Sequence, residues 1–395
     1  MNVTARDLKV LAIGAAATIG LTTILTSQYY GNLHQPCRVI DSPLPYIRKN
    51  LTKQQQDRLP YAPDAVEGAR DVATPFGSIR VYEWGPEDGR KVLLVHGIST
   101  PCIALVGLAE ELVTKGCRVM LFDLFGRGFS STPDPNSQPQ DIQLFTTQIL
   151  LVLSSSPISW TGENNRFSLV GYSLGGGVTA SFTSYFPNLV ESLILIAPAG
   201  LMRPNHIHWT SRFLYGGFLP GALVEYLIWR RLGGGSSSTP SRSNEDDGKI
   251  TPTQAADEET PSHPALTRDS SASISTRRPS VSIADVVSWQ LTHHAGFIPS
   301  FISSIQHAPV SNQHSSWKTI ATNQSSPSPQ QRLLEKKVLL LLGRDDNVII
   351  ADEISEDAKA VLGDAVDICI LDGGHELPVT DADIVAQTIV SFWNQ

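Results

Sequence analysis

The chain has 395 residues, and its 30 Lys and Arg against 38 Asp and Glu give a net charge of −8 and an isoelectric point near 5.7. That balance excludes the electrostatic footprint of a nucleic-acid binder, and a hydrophobic share of 41% excludes a wholly disordered or fibrous chain. The length suits one large α/β domain with additions, or two ordinary domains. Four cysteines, Cys37, Cys102, Cys117 and Cys369, are too few and too scattered for a disulfide framework, and none has the spacing of a zinc site.

From Val10 to Ile40 the only charged side chain is Arg38, and Val10 to Leu25 is an apolar run. As a helix this run reaches about 24 Å, short of a bilayer core of about 30 Å unless the uncharged residues up to Tyr30 continue it. It predicts a single-pass membrane anchor within residues 1–30, with Tyr29 and Tyr30 at the interface and the chain placed in the endomembrane system. A cleaved signal peptide, which would make the protein secreted, and a targeting helix are the competing readings, although no small-x-small cleavage site stands out. Arg6 and Lys9 before the run, against Arg38, Arg48, Lys49 and Lys53 further beyond it, favour a cytosolic N-terminus.

Residues 31–71 are polar and contain prolines, and are expected to be a linker. Beyond them, Ser78 to Trp84 reads as an outer strand. Lys91 to His96, Arg118 to Asp123, Phe167 to Val170 and Leu193 to Ile196 are short, nearly uniform apolar runs, as in parallel strands buried on both faces. Helix-length stretches lie between them, around Cys102 to Lys115, Asp141 to Leu153 and Leu174 to Phe186. This alternation predicts a doubly wound, mostly parallel sheet whose first part spans 72–201. It stops after Leu201 and resumes in 337–395, with strands at Lys337 to Leu342 and Val366 to Leu371 and helices over Asp352 to Val361 and Asp381 to Phe392. Residues 202–336 are therefore an insertion. Its ends are expected to be helical, over Trp209 to Leu232 and Ile283 to Ile305. Its middle, residues 233–282, is dominated by Ser, Thr, Pro, Gly and charge, and buries too little apolar surface to offset its ordering entropy, so it is expected to be disordered.

The segment Gly171-Tyr172-Ser173-Leu174-Gly175 follows a predicted strand and opens a predicted helix. In a Gly-x-Ser-x-Gly elbow the glycines permit a sharp turn that lifts the serine oxygen clear of the sheet and sets it at a helix N-terminus. The pentapeptide alone recurs by chance in a chain this rich in Gly and Ser, so the strand–turn–helix context gives it its weight. A hydroxyl needs a base beside it, and the base needs a carboxylate to orient it. Both follow in order: Gly343-Arg344-Asp345-Asp346-Asn347 ends one apolar strand, and Leu371-Asp372-Gly373-Gly374-His375 ends the last. Oxyanion donors would come from the backbone N–H groups of Ile98, after the Leu94-Val95-His96-Gly97 strand end, and of Leu174.

Taken together, these motifs and the Asp123-Leu124-Phe125-Gly126-Arg127-Gly128-Phe129-Ser130 segment resemble the α/β-hydrolase fold family over roughly Pro75 to Leu201 and Lys337 to Phe392. The resemblance implies Ser173 as nucleophile, His375 as base and an esterase- or lipase-like serine hydrolase. It also implies Asp346, three residues after the glycine, rather than Asp345 as the acid, and a cap formed by the insertion. Two features depart from the family's forms: the turn after His96-Gly97 reads Ile-Ser-Thr-Pro, unlike the glycine-rich turn of many lipases, and the insertion carries a long polar tract. The expected substrate is a carboxylic ester, with an acylglycerol or similar lipid ester suggested by the anchor and by the cap aromatics Trp209, Phe213, Tyr215, Phe218, Tyr226 and Trp229. The same triad also serves thioesters, amides and carbon–carbon bonds, including secondary-metabolite tailoring, and some members of the fold bind ligands with little turnover. No metal or organic cofactor is expected: His206, His208, His293 and His294 lack carboxylate or cysteine partners at ligand spacing.

Two signals disagree on topology. Arg277-Arg278-Pro279-Ser280 has the form read by basophilic kinases, whereas Asn50-Leu51-Thr52 and Asn323-Gln324-Ser325 are glycosylation sequons usable only in a secretory lumen.

Overall fold

The apolar runs become the inner strands of an eight-stranded sheet in the computed structural model, which describes Thr22 and residues 38–162, 165–203, 215, 219, 221–233, 281–326, 328, 333 and 337–395. The chain divides into two units, Met1–Arg38 and Val39–Gln395. Apart from Thr22, the expected apolar N-terminal helix lies outside the described residues, as do the Arg277–Ser280 motif and nearly all of the expected disordered tract. Among the described residues no helix is long and apolar enough to cross a membrane.

The strands are β1 (Val39–Ile40), β2 (Arg70–Thr74), β3 (Gly77–Trp84), β4 (Arg90–Val95), β5 (Cys117–Phe122), β6 (Thr132–Pro133), β7 (Phe167–Tyr172), β8 (Val190–Ile196), β9 (Val338–Gly343) and β10 (Val366–Leu371). The large sheet runs β10-β9-β8-β7-β4-β5-β3-β2. β3 pairs antiparallel with both β2 and β5, and every other pairing in the sheet is parallel. The sheet is thus the mostly parallel one expected. Every residue of β7 and β9 is buried, which is why both read as nearly uniform apolar runs.

The outer position expected for Ser78 to Trp84 belongs instead to β2, whose partly buried and exposed residues alternate. Arg70, Asp71 and Thr74 gave this edge strand no apolar run to detect. The expected linker is also corrected. Helices α1 (Leu44–Asn50) and α2 (Lys53–Asp57) fall within it, and Leu44, Ile47 and Tyr61 are buried in the main core. A few anchoring apolar residues among many polar ones hold this segment down, a pattern that composition does not reveal. Asn50, of the first sequon, is exposed at the end of α1, and Asn323 lies within a helix of the insertion.

Helices α3 (Val106–Thr114), α4 (Ile142–Ser154) and α5 (Leu174–Tyr185) connect the first strands; Asp141 caps α4 by accepting from the Leu144 N–H at 3.0 Å. The insertion between β8 and β9 contributes α6 (Gly221–Gly233), α7 (Ile283–His293), α8 (Phe297–His307) and α9 (His314–Gln324). Ile283 to Ile305 is two helices rather than one, because the chain breaks at His294 to Gly296, where the Gly296 N–H donates to His294 Nδ1. Helices α10 (Ala351–Leu362), α11 (Leu377–Thr380) and α12 (Ala382–Trp393) complete the second part of the core.

Chain order and strand order part company at β4. β5 lies on one side of it and β7 on the other, so the strand ends beyond β4 and β7 flank a topological switch point, where open α/β sheets form their clefts. Register aligns the two ends: Val95 lies opposite Gly171. The His96 turn and the Ser173 turn therefore leave the sheet side by side.

Candidate active site

Ser173 sits between β7 and α5 with φ 51° and ψ −120°, backbone values that a non-glycine residue rarely adopts. Such a conformation costs of order 1–3 kcal/mol and persists only where surrounding bonds enforce it. Here the Ser173 N–H donates to Ile196 O at 3.1 Å, and the Ser173 carbonyl accepts from Gly176 N at 2.9 Å and Ala199 N at 2.9 Å. A Cβ on Gly175 would strike the carbonyl oxygens of Val95 and His96, so this glycine permits the helix start to close on the end of β4.

His375 and Asp346 reach the serine from the ends of the last two strands. His375 Nε2 lies 3.0 Å from Ser173 Oγ, and its Nδ1 lies 2.9 Å from Asp346 Oδ2. The Nδ1–H therefore donates to the carboxylate, leaving Nε2 to accept from the hydroxyl. The other Asp346 oxygen accepts from the N–H groups of Val348 at 2.8 Å and Ile349 at 2.7 Å, which fixes the carboxylate plane. All three side chains are buried. Asp345, the competing acid, is exposed, and its N–H donates to Gly373 O at 2.9 Å. The chain from carboxylate to hydroxyl can draw a proton from the serine as the oxygen attacks an electrophile. Tyr172, which the sequence did not single out, places its ring 5.4 Å from the His375 ring. Glu376, directly after the histidine, has its carboxyl pKa pushed up by burial.

The candidate oxyanion donors are both buried, Ile98 in the loop after β4 and Leu174 as the first residue of α5. The opening N–H groups of a helix lack intrahelical partners and carry its positive dipole end. His96 is wholly buried and holds the Ile98 loop in place: its Nε2 accepts from Leu124 N at 2.8 Å, so its Nδ1–H donates to Gly97 O at 2.8 Å. With both ring nitrogens engaged, His96 braces the turn and has no free lone pair to carry protons.

Asp123 and Arg127 brace the turn that follows β5. Asp123 accepts from Cys102 N at 2.9 Å, Phe129 N at 2.8 Å and the Tyr61 hydroxyl at 3.0 Å, while burial raises its pKa. The buried Arg127 donates to Ile98 O at 3.1 Å, Phe125 O at 3.0 Å and Ser304 Oγ at 2.9 Å. The last bond belongs to a polar seam through which the insertion grips the Gly126–Thr132 segment. Ser300 Oγ donates to Thr132 Oγ1 at 3.1 Å, and His294 donates through Nε2 to Ser130 O at 2.9 Å. His294 is buried and its pKa is lowered to about 4, mainly by desolvation, so it stays neutral. Sequence reasoning missed this seam because its Ser and Gln residues give no apolar or motif signal.

Among the described residues no group of three or more His, Cys, Asp or Glu side chains is placed to hold a metal ion. His293 stacks on Trp289 at 5.8 Å between ring centroids. His206, His208, Trp209, Phe213 and Phe218 lie outside the described residues. Of the other aromatics of the insertion, Tyr215 is buried, whereas Tyr226 and Trp229 on α6 are exposed.

A family model described as "Alpha/beta hydrolase family" matches residues 92–388, from β4 into the last helix. The chain belongs to the alpha/beta hydrolase family. Among its curated relatives, a serine hydrolase-like protein of Danio rerio is 30% identical over 131 residues, 33% of this chain and 38% of the relative. A serine hydrolase-like protein of Homo sapiens is 33% identical over 125 residues, 32% of this chain and 58% of the relative. The chain thus spans less than two thirds of either relative. Solved structures share the hydrolase fold at low identity. A carboxylesterase of the ammonia-oxidizing thaumarchaeon Nitrososphaera gargenis aligns with a TM-score of 0.54 at 14% identity, covering 82% of this chain and 98% of that one. A membrane phospholipase A, described as a bacterial virulence factor, aligns with a TM-score of 0.53 at 18% identity, covering 98% of each chain.

Proposed function

We propose that this hydrolase cleaves a carboxylic ester through an acyl-enzyme formed on Ser173. The observation that carries the proposal is the buried hydrogen-bonded chain Asp346–His375–Ser173, set beside the first turn of α5. Ser173 Oγ attacks the carbonyl carbon as His375 Nε2 takes its proton. The carbonyl oxygen becomes an oxyanion bound by the Ile98 and Leu174 N–H groups, and Asp346 stabilises the imidazolium. Collapse of this intermediate breaks the bond to the alcohol oxygen, which leaves with the proton held on Nε2. Water then gives up a proton to His375 and attacks the acyl carbon. The acid departs, and the proton returns to Ser173.

We propose a lipid ester as substrate, an acylglycerol or similar, with the insertion acting as a cap and the N-terminal apolar run as the tether that brings the enzyme to a membrane. The exposed Leu223, Tyr226, Leu227 and Trp229 on α6 favour a site entered from an apolar phase.

The test is fluorophosphonate labelling of the full chain beside Ser173→Ala, together with p-nitrophenyl esters of rising chain length. Labelling lost in the variant and turnover peaking at long chains are the expected results. Faster turnover of thioesters, amides or diketones would reassign the scissile bond. Absence of labelling in folded wild-type protein would favour a ligand-binding role instead.

A further inference from the structure

We infer that the insertion sets the oxyanion hole, through Gln290 on α7 and through the Ser304–Arg127 contact from α8; this rests on the hydrolase reading above. In a planar trans peptide the C=O and N–H point in opposite directions, so a donor that grips the carbonyl also fixes where the N–H points. Three successive carbonyls in the loop after β4 are gripped in this way. Gly97 O, which shares a peptide plane with the Ile98 N–H, accepts from His96 at 2.8 Å. Ile98 O accepts from Arg127 Nε at 3.1 Å, and Ser99 O accepts from Gln290 Nε2 at 3.0 Å.

Only the first of these grips is local. Arg127 is steadied from the insertion by Ser304 Oγ at 2.9 Å, and Gln290 is itself part of the insertion, 191 residues from Ser99 in the chain. The orientation of the Gln290 amide is determined by its second bond: Oε1 accepts from the Gly128 N–H at 2.7 Å, which turns the NH2 toward Ser99. Gln290 is wholly buried on a helix whose other inward residues include Ile283, Val286, Val287 and Leu291. Desolvating an amide there carries a cost that an apolar side chain would avoid, and the cost is offset only because both ends of the amide are bonded. Those two bonds join the oxyanion loop to the turn that Arg127 occupies. The carbonyls of Ile98 and Ser99 share peptide planes with the Ser99 and Thr100 N–H groups, so the insertion acts on the hole by bracing the residues directly after Ile98, and through them the Ile98 peptide.

Gln290 and Ser304 are positioning residues: neither is required to touch the substrate. The test is steady-state kinetics of the full chain carrying Gln290→Leu, Gln290→Glu or Ser304→Ala, with each rate divided by the number of sites that fluorophosphonate labels to completion. Gln290→Glu keeps an acceptor for the Gly128 N–H and replaces the donor to Ser99 with an oxygen that repels its carbonyl. Both Gln290 variants are expected to lower kcat per labelled site about 10- to 100-fold, the scale of a misplaced catalytic group. KM is expected to stay within about threefold, because the lost interaction belongs to the transition state. Affinity for a boronic acid that mimics the tetrahedral intermediate should fall in step with kcat. Ser304→Ala should move kcat the same way, by about threefold, and it decides the question if the Gln290 variants do not fold. A purely structural role would lower the thermal midpoint and the number of labelled sites but leave kcat per site at the wild-type value, and that result overturns the inference. Wild-type protein that is folded but unlabelled overturns the hydrolase reading and this inference with it, whereas normal labelling with unaltered variants overturns this inference alone.

Discussion

The two flanks of Ser173 are built in opposite ways. On the acid–base flank, His375 and Asp346 stand at the ends of neighbouring strands β10 and β9, and the carboxylate is fixed by N–H groups two and three residues further along its own loop. On the flank proposed to bind the oxyanion, the loop after β4 is held by His96 within it, by Arg127 from beyond β5 and by Gln290 from the insertion. One flank is built at the ends of two neighbouring strands. The other is an assembly of distant segments, and its geometry depends on how those segments dock. Substitutions on the first flank should therefore act on the chemistry and barely on stability, whereas substitutions on the second should mix the two.

The largest effect expected is that of Ser173→Ala. If the proposed chemistry holds, turnover of p-nitrophenyl esters should fall by about 10⁶ in kcat, the scale seen when a nucleophile of this kind is removed. The thermal midpoint should change little, since the substitution removes one hydrogen bond, to His375 Nε2, and leaves the backbone at 173 as it is. Next, Asp346→Asn should lower kcat by about 10⁴, because an amide stabilises the wrong imidazole tautomer and leaves the imidazolium without a counter-charge. Asp345→Asn, one residue away but exposed, should stay within about twofold of wild type. Equal losses from the two substitutions would break the assignment of the acid and, with it, the picture of a locally fixed flank.

How much of this was legible before folding follows the same division. Ser173, Asp346 and His375 each end an apolar strand, and strand ends can be read from short runs and glycines, so these residues and the central parallel strands stood out. Gln290 did not. Its partners Ser99 and Gly128 lie 191 and 162 residues away, and a glutamine in an amphipathic helix reads as solvent-facing until tertiary packing buries it. Helix α9 was missed for a related reason: only Trp317 and Ile320 are buried in it, too few to give a helical apolar stripe. α1 was hidden within what read as polar linker, and β2 straddles its end, because short helices and edge strands need few buried anchoring residues.

The docked flank should also show itself in pH dependence. Burial lowers the His294 pKa to about 4, against an ordinary value near 6.5. Above pH 6.5 the ring is neutral whether the chain is folded or not, and its contacts to Ser130 and Gly296 contribute fully. As pH falls from 6.5 toward 4, the unfolded chain takes up a proton that the folded one refuses, so stability is lost. The loss should reach about 2 kcal/mol between pH 6.5 and 5 in urea denaturation. His294→Gln should be less stable at pH 7 but should lack this part of the slope. Comparing the two proteins cancels the other groups that titrate in that range. Parallel slopes would mean that the ring is solvated and that the seam between insertion and core is looser than its hydrogen bonds imply.

The smallest effect is expected at the outer helix of the insertion, which contrasts with the docked base. Val224 and Ile228 face inward on α6 and are buried, whereas Tyr226 and Trp229 are exposed. A Tyr226→Ser, Trp229→Ser double variant should shift unfolding by no more than about 0.5 kcal/mol, as for surface positions generally. On a soluble short-chain ester its kcat/KM should match wild type, because neither ring supports the oxyanion loop or the acid–base pair. On the same ester chemistry presented in micelles, its rate should drop severalfold if the exposed rings partition into the lipid phase; aromatic side chains favour such interfaces. Equal rates on both forms would remove the support that α6 gives to a lipid substrate while leaving the proposed ester chemistry at Ser173 untouched. A loss on the soluble ester as well would mean that the outer helix, like the base beneath it, reaches the site, and the division between a working base and a free outer surface would have to be redrawn.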